Sequence, residues 1–287
     1  MNKLFIHPNP TKTGMKEVVE NIIPKLCEMG FILYMDEKCQ CLPDDLSNIV
    51  ISSYNEAIKS SDCLIVIGGD GTILRIALDA AKSNKPILGI NMGTVGFIPE
   101  LELDELALIN ALKTKNFEYD NRMMLDISVV RPDGSIKFKG TALNETSISK
   151  GSLSKMIELS VNVSGKKTIA FAGDGLIVCS PTGSTAYSLS AGGPILEPSC
   201  SCMAVTPICP HSLNIKSFVL HSKNIIEVSV NPGPNTAFLL ADGSEPVQVF
   251  AGDRIIIEKS SLSLSLIRIK GLGFYEIIRK KLSKERG

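Results

Sequence analysis

The sequence has no excess of charge of either sign, because 30 lysine and arginine residues balance 30 aspartate and glutamate residues. This balance gives no electrostatic reason to expect a nucleic acid or a membrane surface as a partner. The chain also lacks an apolar run long enough for a transmembrane helix, and the apolar residues after Met1 are too few for a secretory signal. We therefore expect a cytoplasmic protein.

Histidine is scarce, with three residues in the chain, and the eight cysteines do not have the spacing of a metal site. Zinc-binding cysteine pairs typically have two residues between them. The close pairs here have one, and they are Cys39/Cys41 and Cys200/Cys202. We therefore expect free thiols in a reducing compartment, with Cys63 and Cys179 buried as small apolar side chains.

The most informative stretch is an apolar run that ends abruptly in glycine. Residues Cys63–Ile67 are typical of a strand that is buried on both faces of a parallel sheet. The segment Gly68–Thr72, with the sequence Gly-Gly-Asp-Gly-Thr, lets the backbone turn sharply and approach a ligand, and Asp70 is its only ionisable group. An ordinary tight turn is the alternative interpretation of this segment.

A helical pattern follows the glycine turn directly. Ile73, Ile76, Ala77 and Ala80 recur at helical spacing, so the N–H groups at the start of this helix would point towards the turn. A strand, a glycine turn, an acid and a helix N-terminus together indicate a phosphate or nucleotide site at the carboxyl end of a strand.

Segments typical of strands and helices alternate along the first 115 residues. Leu4–Ile6 predicts a strand, Met15–Met29 predicts a helix interrupted by Pro24, and Asp104–Lys115 predicts a helix with an acidic first turn. This alternation predicts an α/β domain with a mostly parallel sheet.

Beyond residue 120 the pattern changes to short strands separated by frequent turns, which indicates a β-rich domain. Phe274–Lys284 predicts a helix whose apolar face needs a partner, and we expect that partner to be the first domain. The expected divisions are residues 1–120, residues 121–270 and a returning C-terminal helix in residues 271–287.

A second dense motif, Gly173–Pro194, combines six serine and threonine residues with five glycines, one acid and one tyrosine. Such a surface can hydrogen-bond a polar ligand and stack against a flat one. The hydroxyl groups of Ser180, Thr182 and Ser184 have a structural use as well, since they would cap a helix that begins there. Both interpretations remain open for the individual hydroxyl groups.

Five motifs in order resemble those of the bacterial NAD kinase (ATP-NAD kinase) family, over nearly the whole chain. They are Gly68–Thr72, Asn91-x-Gly93-x-x-Gly96-Phe97, Leu143-Asn144-Glu145, Gly173-Asp174-Gly175 with Ser180–Gly193, and Pro207-x-x-Pro210-His211-Ser212-Leu213. The resemblance implies an N-terminal α/β domain with a mostly parallel sheet and an all-β C-terminal sandwich domain that binds NAD. It also implies a homo-oligomer, either a dimer or a tetramer.

The same resemblance implies an enzyme that transfers the γ-phosphoryl group of ATP, or of inorganic polyphosphate, to the 2′-hydroxyl of the adenosine ribose of NAD, forming NADP. Asp70 would be the general base. Mg²⁺ would be held mainly through the phosphates of ATP, since the sequence offers no separate set of carboxylates for it.

The residues that the resemblance assigns to nucleotide binding fall in every one of these regions except the last motif. They are Gly68, Gly69, Gly71, Thr72, Asn91, Gly93, Phe97, Asn144, Glu145, Lys155, Ala172, Asp174, Thr185, Ala186, Tyr187, Ser188, Leu189 and Ser190. Two positions depart from the family. Ala172 stands where many members have arginine, and Ser244 stands where glutamine is common.

Two other functions remain open. A lipid kinase of the diacylglycerol type shares the glycine turn, although it should lack the block from Thr182 to Gly193. A regulator that binds NAD or NADH without turning it over would require Asp70 to be misplaced or the turn to be lost.

Overall fold

The structure is a computed structural model. It describes residues 1–93, 96–151, 155–231, 236–271 and 273–283. Thr94 and Val95 of the predicted Asn91–Phe97 motif, and residues 284–287 of the predicted terminal segment, lie outside the described residues. The chain divides into two compact units, Met1–Asn121 with Leu264–Gly287, and Arg122–Ser263.

The first half of the chain alternates strands and helices. In order these are β1 (Lys3–Pro8), α1 (Met15–Glu28), β2 (Ile32–Asp36), β3 (Ile49–Ser52), α2 (Tyr54–Ser60), β4 (Cys63–Gly68), α3 (Asp70–Lys82), β5 (Ile87–Asn91), β6 (Leu101–Glu102), a 3₁₀ helix (Leu103–Asn110) and α4 (Ala111–Thr114).

The rest of the chain is mainly strands. They are β7 (Glu118–Val130), β8 (Ile136–Ala142), β9 (Glu145–Lys150), β10 (Ile157–Val163), β11 (Lys166–Gly173), β12 (Gly175–Cys179), a 3₁₀ helix (Thr182–Thr185), α5 (Tyr187–Ser190), β13 (Cys202–Ile208), β14 (Phe218–His221), β15 (Ile226–Asn231), β16 (Ala237–Ala241), β17 (Val247–Val249), β18 (Arg254–Arg268) and α6 (Phe274–Ser283).

The first unit has a parallel sheet with the strand order β5-β4-β1-β2-β3, as the sequence predicts. All six residues of β4 are buried, which confirms the prediction of a strand covered on both faces. The strand order reverses between β1 and β4. In open parallel sheets, ligands bind at the carboxyl ends of the strands beside such a reversal. The topology therefore points to the loops after Pro8 and Gly68.

Helix α1 continues through Pro24, so the predicted interruption is wrong. Pro24 faces solvent, where water can satisfy the carbonyl group that its missing N–H leaves unpaired. The buried face of the helix, which includes Val19, Ile22 and Leu26, packs into the core of the first unit. This packing outweighs the local preference of proline against a helix interior.

The helix predicted over Asp104–Lys115 is also wrong as a single α-helix. A 3₁₀ helix covers Leu103–Asn110, and the short α4 follows it. Glu105 has a non-helical backbone with φ −99° and ψ 15°. Its carboxylate accepts a hydrogen bond from the Glu102 N–H at 2.9 Å and from Lys270 Nζ at 2.7 Å. The bond to Glu102 is part of a capping box at the start of the 3₁₀ helix, and the bond to Lys270 links this turn to a distant part of the chain.

The second unit is an all-β sandwich, as predicted. One antiparallel sheet has the order β14-β13-β12-β9-β16-β17, and β11, β10 and β15 pair antiparallel in the other. Inward-facing residues of both sheets, such as Leu159, Leu176 and Val228, form one hydrophobic core. Alternate buried and accessible residues along β10 and β15 fit strands with one face on that core.

All eight cysteines are free thiols in the structure. Cys63 and Cys179 are fully buried, as predicted. Burial raises the pKa of the Cys63 thiol to about 12 and that of the Cys179 thiol to about 11. Both side chains therefore behave as small apolar groups at neutral pH. None of the helices that the structure describes is long and apolar enough to cross a membrane.

Candidate active site

The glycine turn joins β4 to α3 within two residues. A Cβ on Gly68 would lie 2.2 Å from Thr72 Oγ1, so only glycine fits at that position. At Gly69 and Gly71 no atom of the described chain, apart from their sequence neighbours, lies within 4 Å of the place a Cβ would take. These two glycines therefore leave open surface at the N-terminus of α3, where N–H groups without helical partners favour an anion.

Asp70 is the first residue of α3, and both of its carboxylate oxygens have backbone donors. The Phe97 N–H donates to Oδ2 at 3.1 Å, and the Ile98 N–H donates to Oδ1 at 3.0 Å. A Cβ on Gly96 would lie 2.5 Å from Asp70 Oδ1, which accounts for the glycine there. The two bonds orient the carboxylate, and each oxygen keeps lone-pair capacity for a further donor.

Asn91 ends the neighbouring strand β5 and pairs in register with Gly68. Its Nδ2 donates to Glu102 Oε2 at 2.9 Å, whereas its buried Oδ1 has no hydrogen-bond partner in the described part of the chain. Gly93 follows with a φ of +122°, which a residue with a side chain would rarely adopt. The predicted residues of the first unit thus gather at the carboxyl ends of β4 and β5.

Two residues after β1 were not assigned to the site by the sequence. Asn9 is buried, and its Oδ1 accepts hydrogen bonds from the Thr11 N–H at 3.2 Å and from Thr11 Oγ1 at 2.9 Å. The Lys12 ammonium lies 3.1 Å from the place of a Cβ on Gly93. A polar turn directly after the first strand of a parallel sheet was the signal that could have identified them.

In the second unit, contacts of its main-chain carbonyl group fix the position of Asn144. Its carbonyl accepts the Ser180 N–H at 2.8 Å, and a Cβ on Gly183 would lie 2.2 Å from that same carbonyl oxygen. The side-chain Oδ1 of Asn144 is buried without a partner among the described residues. Gly183 is therefore required by close packing, and the Asn144 amide remains available to a ligand.

Glu145 begins β9, and its Oε2 is also buried without a hydrogen-bond partner within the described ranges. Burial, and secondarily the nearby charge of Asp242, raise the pKa of Glu145 to about 8. Five buried side-chain N or O atoms lack a partner in the described parts of the chain, and three belong to predicted site residues: Asn91, Asn144 and Glu145. Because buried polar atoms are normally paired, this concentration points to ligand contacts.

The hydroxyl-rich loop after β12 divides into buried and accessible side chains. Ser180, Ser184 and Ser188 are fully buried and are used to hold the loop. Their hydroxyl groups bond in turn with Leu143 O at 2.5 Å, Leu196 N at 2.9 Å and Thr206 Oγ1 at 3.0 Å. These bonds give Ser180 and Ser184 a structural use, and the predicted ligand contact of Ser188 stays a prediction.

Other residues of this loop remain accessible. Tyr187 is 45% exposed, Ser190 is exposed, and Thr185, Ala186 and Leu189 are half-buried. The Thr185 hydroxyl donates to the Thr182 carbonyl at 3.2 Å. The exposed phenol ring offers a flat face on which a base or nicotinamide ring could stack.

Asp174 stands where the chain leaves β11 in one sheet and enters β12 in the other. Lys150 Nζ lies 2.8 Å from Asp174 Oδ1, an ion pair that the sequence did not predict. Ala172 is half-buried in β11, and Lys155 is exposed two residues before β10.

Among the side chains that the structure describes, no group of three or more His, Cys, Asp or Glu residues is placed to hold a metal ion. A hard cation such as Mg²⁺ prefers oxygen ligands and commonly binds through one or two carboxylates together with substrate phosphates. The residues present fit this arrangement. The Asp70 carboxylate lies beside the open glycine turn, where the phosphates of a nucleotide could bind.

Both halves of the sequence match one protein family. Residues 4–114 match the ATP-NAD kinase N-terminal domain, and residues 143–269 match the ATP-NAD kinase C-terminal domain. An NAD kinase from Desulforamulus reducens is 37% identical over 286 residues, which cover 99% of this chain and 98% of that protein. An NAD kinase from Symbiobacterium thermophilum is 41% identical over 223 residues, which cover 77% of this chain and 78% of that protein.

Solved structures agree in fold. A yeast NADH kinase complexed with NADH aligns with a TM-score of 0.87 at 22% identity, covering 100% of this chain and 89% of that one. An NAD kinase from Archaeoglobus fulgidus in complex with ATP aligns with a TM-score of 0.70 at 28% identity, covering 100% of this chain and 99% of that one. From these matches and the geometry of the glycine turn, we conclude that the chain belongs to the ATP-NAD kinase family.

Proposed function

We propose that this protein transfers the γ-phosphoryl group of ATP to the 2′-hydroxyl of the adenosine ribose of NAD, forming NADP and ADP. Membership of the ATP-NAD kinase family makes the chain a phosphotransferase with NAD as acceptor. The observation that carries the residue-level proposal is the placement of Asp70, whose oriented carboxylate adjoins the open surface at Gly69 and Gly71.

Asp70 is the general base. The 2′-hydroxyl donates a hydrogen bond to a carboxylate oxygen, and its proton passes to that oxygen as the bond from the ribose oxygen to the γ-phosphorus forms. The bond from the γ-phosphorus to the bridging oxygen breaks, and ADP leaves. Phosphoryl transfer depends mainly on positioning and electrostatics, so a held carboxylate and a phosphate cradle meet its main requirements.

The phosphates of ATP bind at the start of α3. The N–H groups of Gly69 and Gly71 and the N-terminus of the helix favour a negative charge there. Lys12, beside Gly93, adds a positive charge at the same edge of the sheet. Mg²⁺ would be held here mainly through the phosphate oxygens of ATP and water, and when bound it would neutralise part of the charge on the transferring group.

NAD binds to the unpartnered oxygens of Asn144 and Glu145, which accept hydrogen bonds from its ribose or adenine donors. Tyr187 stacks against a ring of the dinucleotide, and Asp174 and the accessible hydroxyl groups of its loop contact polar groups. The other predicted ligand contacts stay predictions, among them Thr72, Phe97, Lys155 and Ala172.

Further proposals concern the whole protein. We propose a cytoplasmic homo-oligomer, either a dimer or a tetramer, with an α/β nucleotide-binding domain in residues 1–120, an NAD-binding sandwich in residues 121–270 and a C-terminal helix in residues 271–287. Matches to the family over both halves of the chain favour an NAD kinase over a lipid kinase.

The first experiment measures NADP formation by the purified protein with NAD or NADH as acceptor and ATP or polyphosphate as donor, before and after chelation of Mg²⁺. NADP formation that stops on chelation is the expected result. NAD binding without turnover in any combination would contradict the proposal and favour a regulator.

Asp70→Asn tests the role of the base. We expect NAD to bind nearly normally while kcat falls by a factor of about 100 or more. Asp79→Asn is the matched control, because Asp79 lies on the same helix and its carboxylate accepts a hydrogen bond from Tyr54 OH at 2.9 Å. An equal loss of NAD affinity and kcat in Asp70→Asn would show a ligand contact instead of a base.

A further inference from the structure

Asp242 lies in the turn after β16, outside the residues assigned to nucleotide binding, yet it is the anchor of Asn144 and Glu145. Its Oδ2 accepts the Leu143 N–H at 2.6 Å, and its Oδ1 accepts the Asn144 N–H at 2.9 Å and the Glu145 N–H at 3.0 Å. In return, the Asp242 N–H donates to the Glu145 carbonyl at 3.0 Å. One carboxylate thus holds three consecutive peptide groups from a distant part of the chain.

Asp242 and Gly243 form a tight turn after β16, and both have positive φ, +47° and +69°. Aspartate followed by glycine is a common pair in such turns, so the conformation is accounted for by the turn itself. Burial raises the pKa of the Asp242 carboxyl group, although the three N–H donors act in the opposite direction. The bonds to Leu143, Asn144 and Glu145 go beyond what the turn needs, and they point to a further role for the side chain.

The three bonds have a consequence for the side chains of the segment they hold. With Leu143–Glu145 fixed by its backbone, Asn144 Oδ1 and Glu145 Oε2 remain buried without partners in the described chain. Asp242 bonds to the backbone of this segment and to neither of these two side-chain atoms in the described chain, so it acts on them through the peptide groups. The same carboxylate is the nearby charge that disfavours ionisation of Glu145.

We propose that Asp242 is the positioning residue of the dinucleotide subsite, which orients Asn144 and Glu145 so that their unpartnered oxygens meet ribose or adenine donors of NAD. This inference rests on the proposed function. Asp242 does not touch the reacting atoms, and its effect is on affinity for NAD rather than on the phosphoryl-transfer step.

The test compares Asp242→Asn with Asp253→Asn by calorimetric binding of NAD and, separately, of ATP. An asparagine amide must turn its NH₂ group towards at least one of the three N–H donors, so the segment loses hydrogen bonds and gains a repulsive contact. Asp253 is the matched control, a buried turn aspartate of the same unit whose Oδ2 accepts the Phe250 N–H at 3.0 Å.

We expect Asp242→Asn to weaken NAD binding by about 10- to 100-fold, as for the loss of hydrogen bonds to a charged group, and to leave ATP binding unchanged. Asp253→Asn should change neither affinity, although both variants lower the melting temperature. Equal losses of NAD and ATP affinity, or unchanged NAD affinity in Asp242→Asn, would overturn the inference.

A pH profile tests the electrostatic contact between Asp242 and Glu145. The groups that face Glu145 with a charge or a titrating proton are Asp242 and Cys179, its partner across the strands. Removal of the Asp242 charge should therefore move the midpoint of the pH dependence of NAD affinity to lower pH, and an unmoved midpoint would contradict that contact. Positioning is separated from general destabilisation by the loss of NAD affinity without a loss of ATP affinity.

Asp242→Glu keeps the charge and covers the case in which Asp242→Asn does not fold. The longer side chain displaces the carboxylate, so we expect a folded protein with the wild-type pH midpoint and reduced NAD affinity. Full NAD affinity in this variant would contradict positioning. Wild-type protein that fails to bind NAD would overturn the proposed function, whereas a wild type that binds NAD and a variant that binds equally well would overturn only this inference.

Discussion

At the scale of single residues, this protein keeps several polar atoms buried and unpaired. An unsatisfied buried donor or acceptor costs about 1–3 kcal/mol. Asn91 Oδ1, Asn144 Oδ1 and Glu145 Oε2 carry that cost within the described residues, and all three belong to motifs shared with the family. These unpaired acceptors lower the stability of the ligand-free protein, and a ligand that donates hydrogen bonds to them would offset that loss.

The raised pKa of Glu145 makes the free energy of unfolding depend on pH. Its pKa is about 8 in the folded protein against a model-compound value of 4.5, because burial and then Asp242 disfavour its charge. Between these two values the folded protein holds a proton that the unfolded chain has released. The contribution of Glu145 to stability is therefore lost progressively as the pH rises from about 4.5 to about 8.

Glu145→Gln should remove this dependence. Relative to wild type, the free energy of unfolding of the variant should rise by a few kcal/mol between about pH 5 and about pH 8.5. Urea unfolding at the two pH values measures the difference. Glu245→Gln, at an exposed position, is the control and should follow the wild type. A parallel pH dependence in wild type and Glu145→Gln would contradict the raised pKa.

At the scale of elements, the two ends of β18 carry arginines in contrasting surroundings. Arg268 is largely buried, and it donates to Asp120 Oδ2 at 3.0 Å, to Glu100 Oε2 at 3.2 Å and to the Ile98 carbonyl at 2.9 Å. Arg254 Nη1 lies 3.2 Å from Glu227 Oε2 at the surface, and the Arg254 side chain is 49% exposed. Since Ile98 donates its N–H to Asp70, the proposed general base, Arg268 supports the segment that orients this carboxylate.

Arg268→Ala should therefore destabilise the protein by about 3–5 kcal/mol, because the buried Glu100 would lose its charged partner and keep only the N–H groups of Ile269 and Lys270. The same change in Arg254 should cost about 1 kcal/mol or less, as for other exposed ion pairs. Chemical denaturation measures both values. Equal small losses would show that Arg268 is not an essential support.

At the scale of the whole molecule, each unit has its own hydrophobic core, which suits a chain of 287 residues. The resemblance to the family predicts a dimer or a tetramer. Leu213, in the last of the shared motifs, is 88% exposed, and contact with a second copy would remove this apolar side chain from water. Sedimentation should therefore give two or four times the chain mass of 30.9 kDa. A monomer at micromolar concentration would contradict this prediction.

Some features followed from the sequence because they depend on neighbours along the chain. An apolar run, a glycine cluster and a spacing of three and four residues sufficed to predict β4, the turn at Gly68–Thr72 and the buried face of α3, all of which the structure contains. The parallel sheet followed in the same way from the alternation of strands and helices.

Only the tertiary structure decided the rest. The continuation of α1 through Pro24 depends on packing, and Glu105 in the 3₁₀ helix at Leu103–Asn110 pairs with the distant Lys270. Asp242 meets Leu143–Glu145 across 97 to 99 positions of the chain, and Lys150 meets Asp174 from a different strand. The sequence by itself determined the local motifs and the family they resemble, whereas folding decided which distant side chains hold those motifs in place, because no local pattern encodes such contacts.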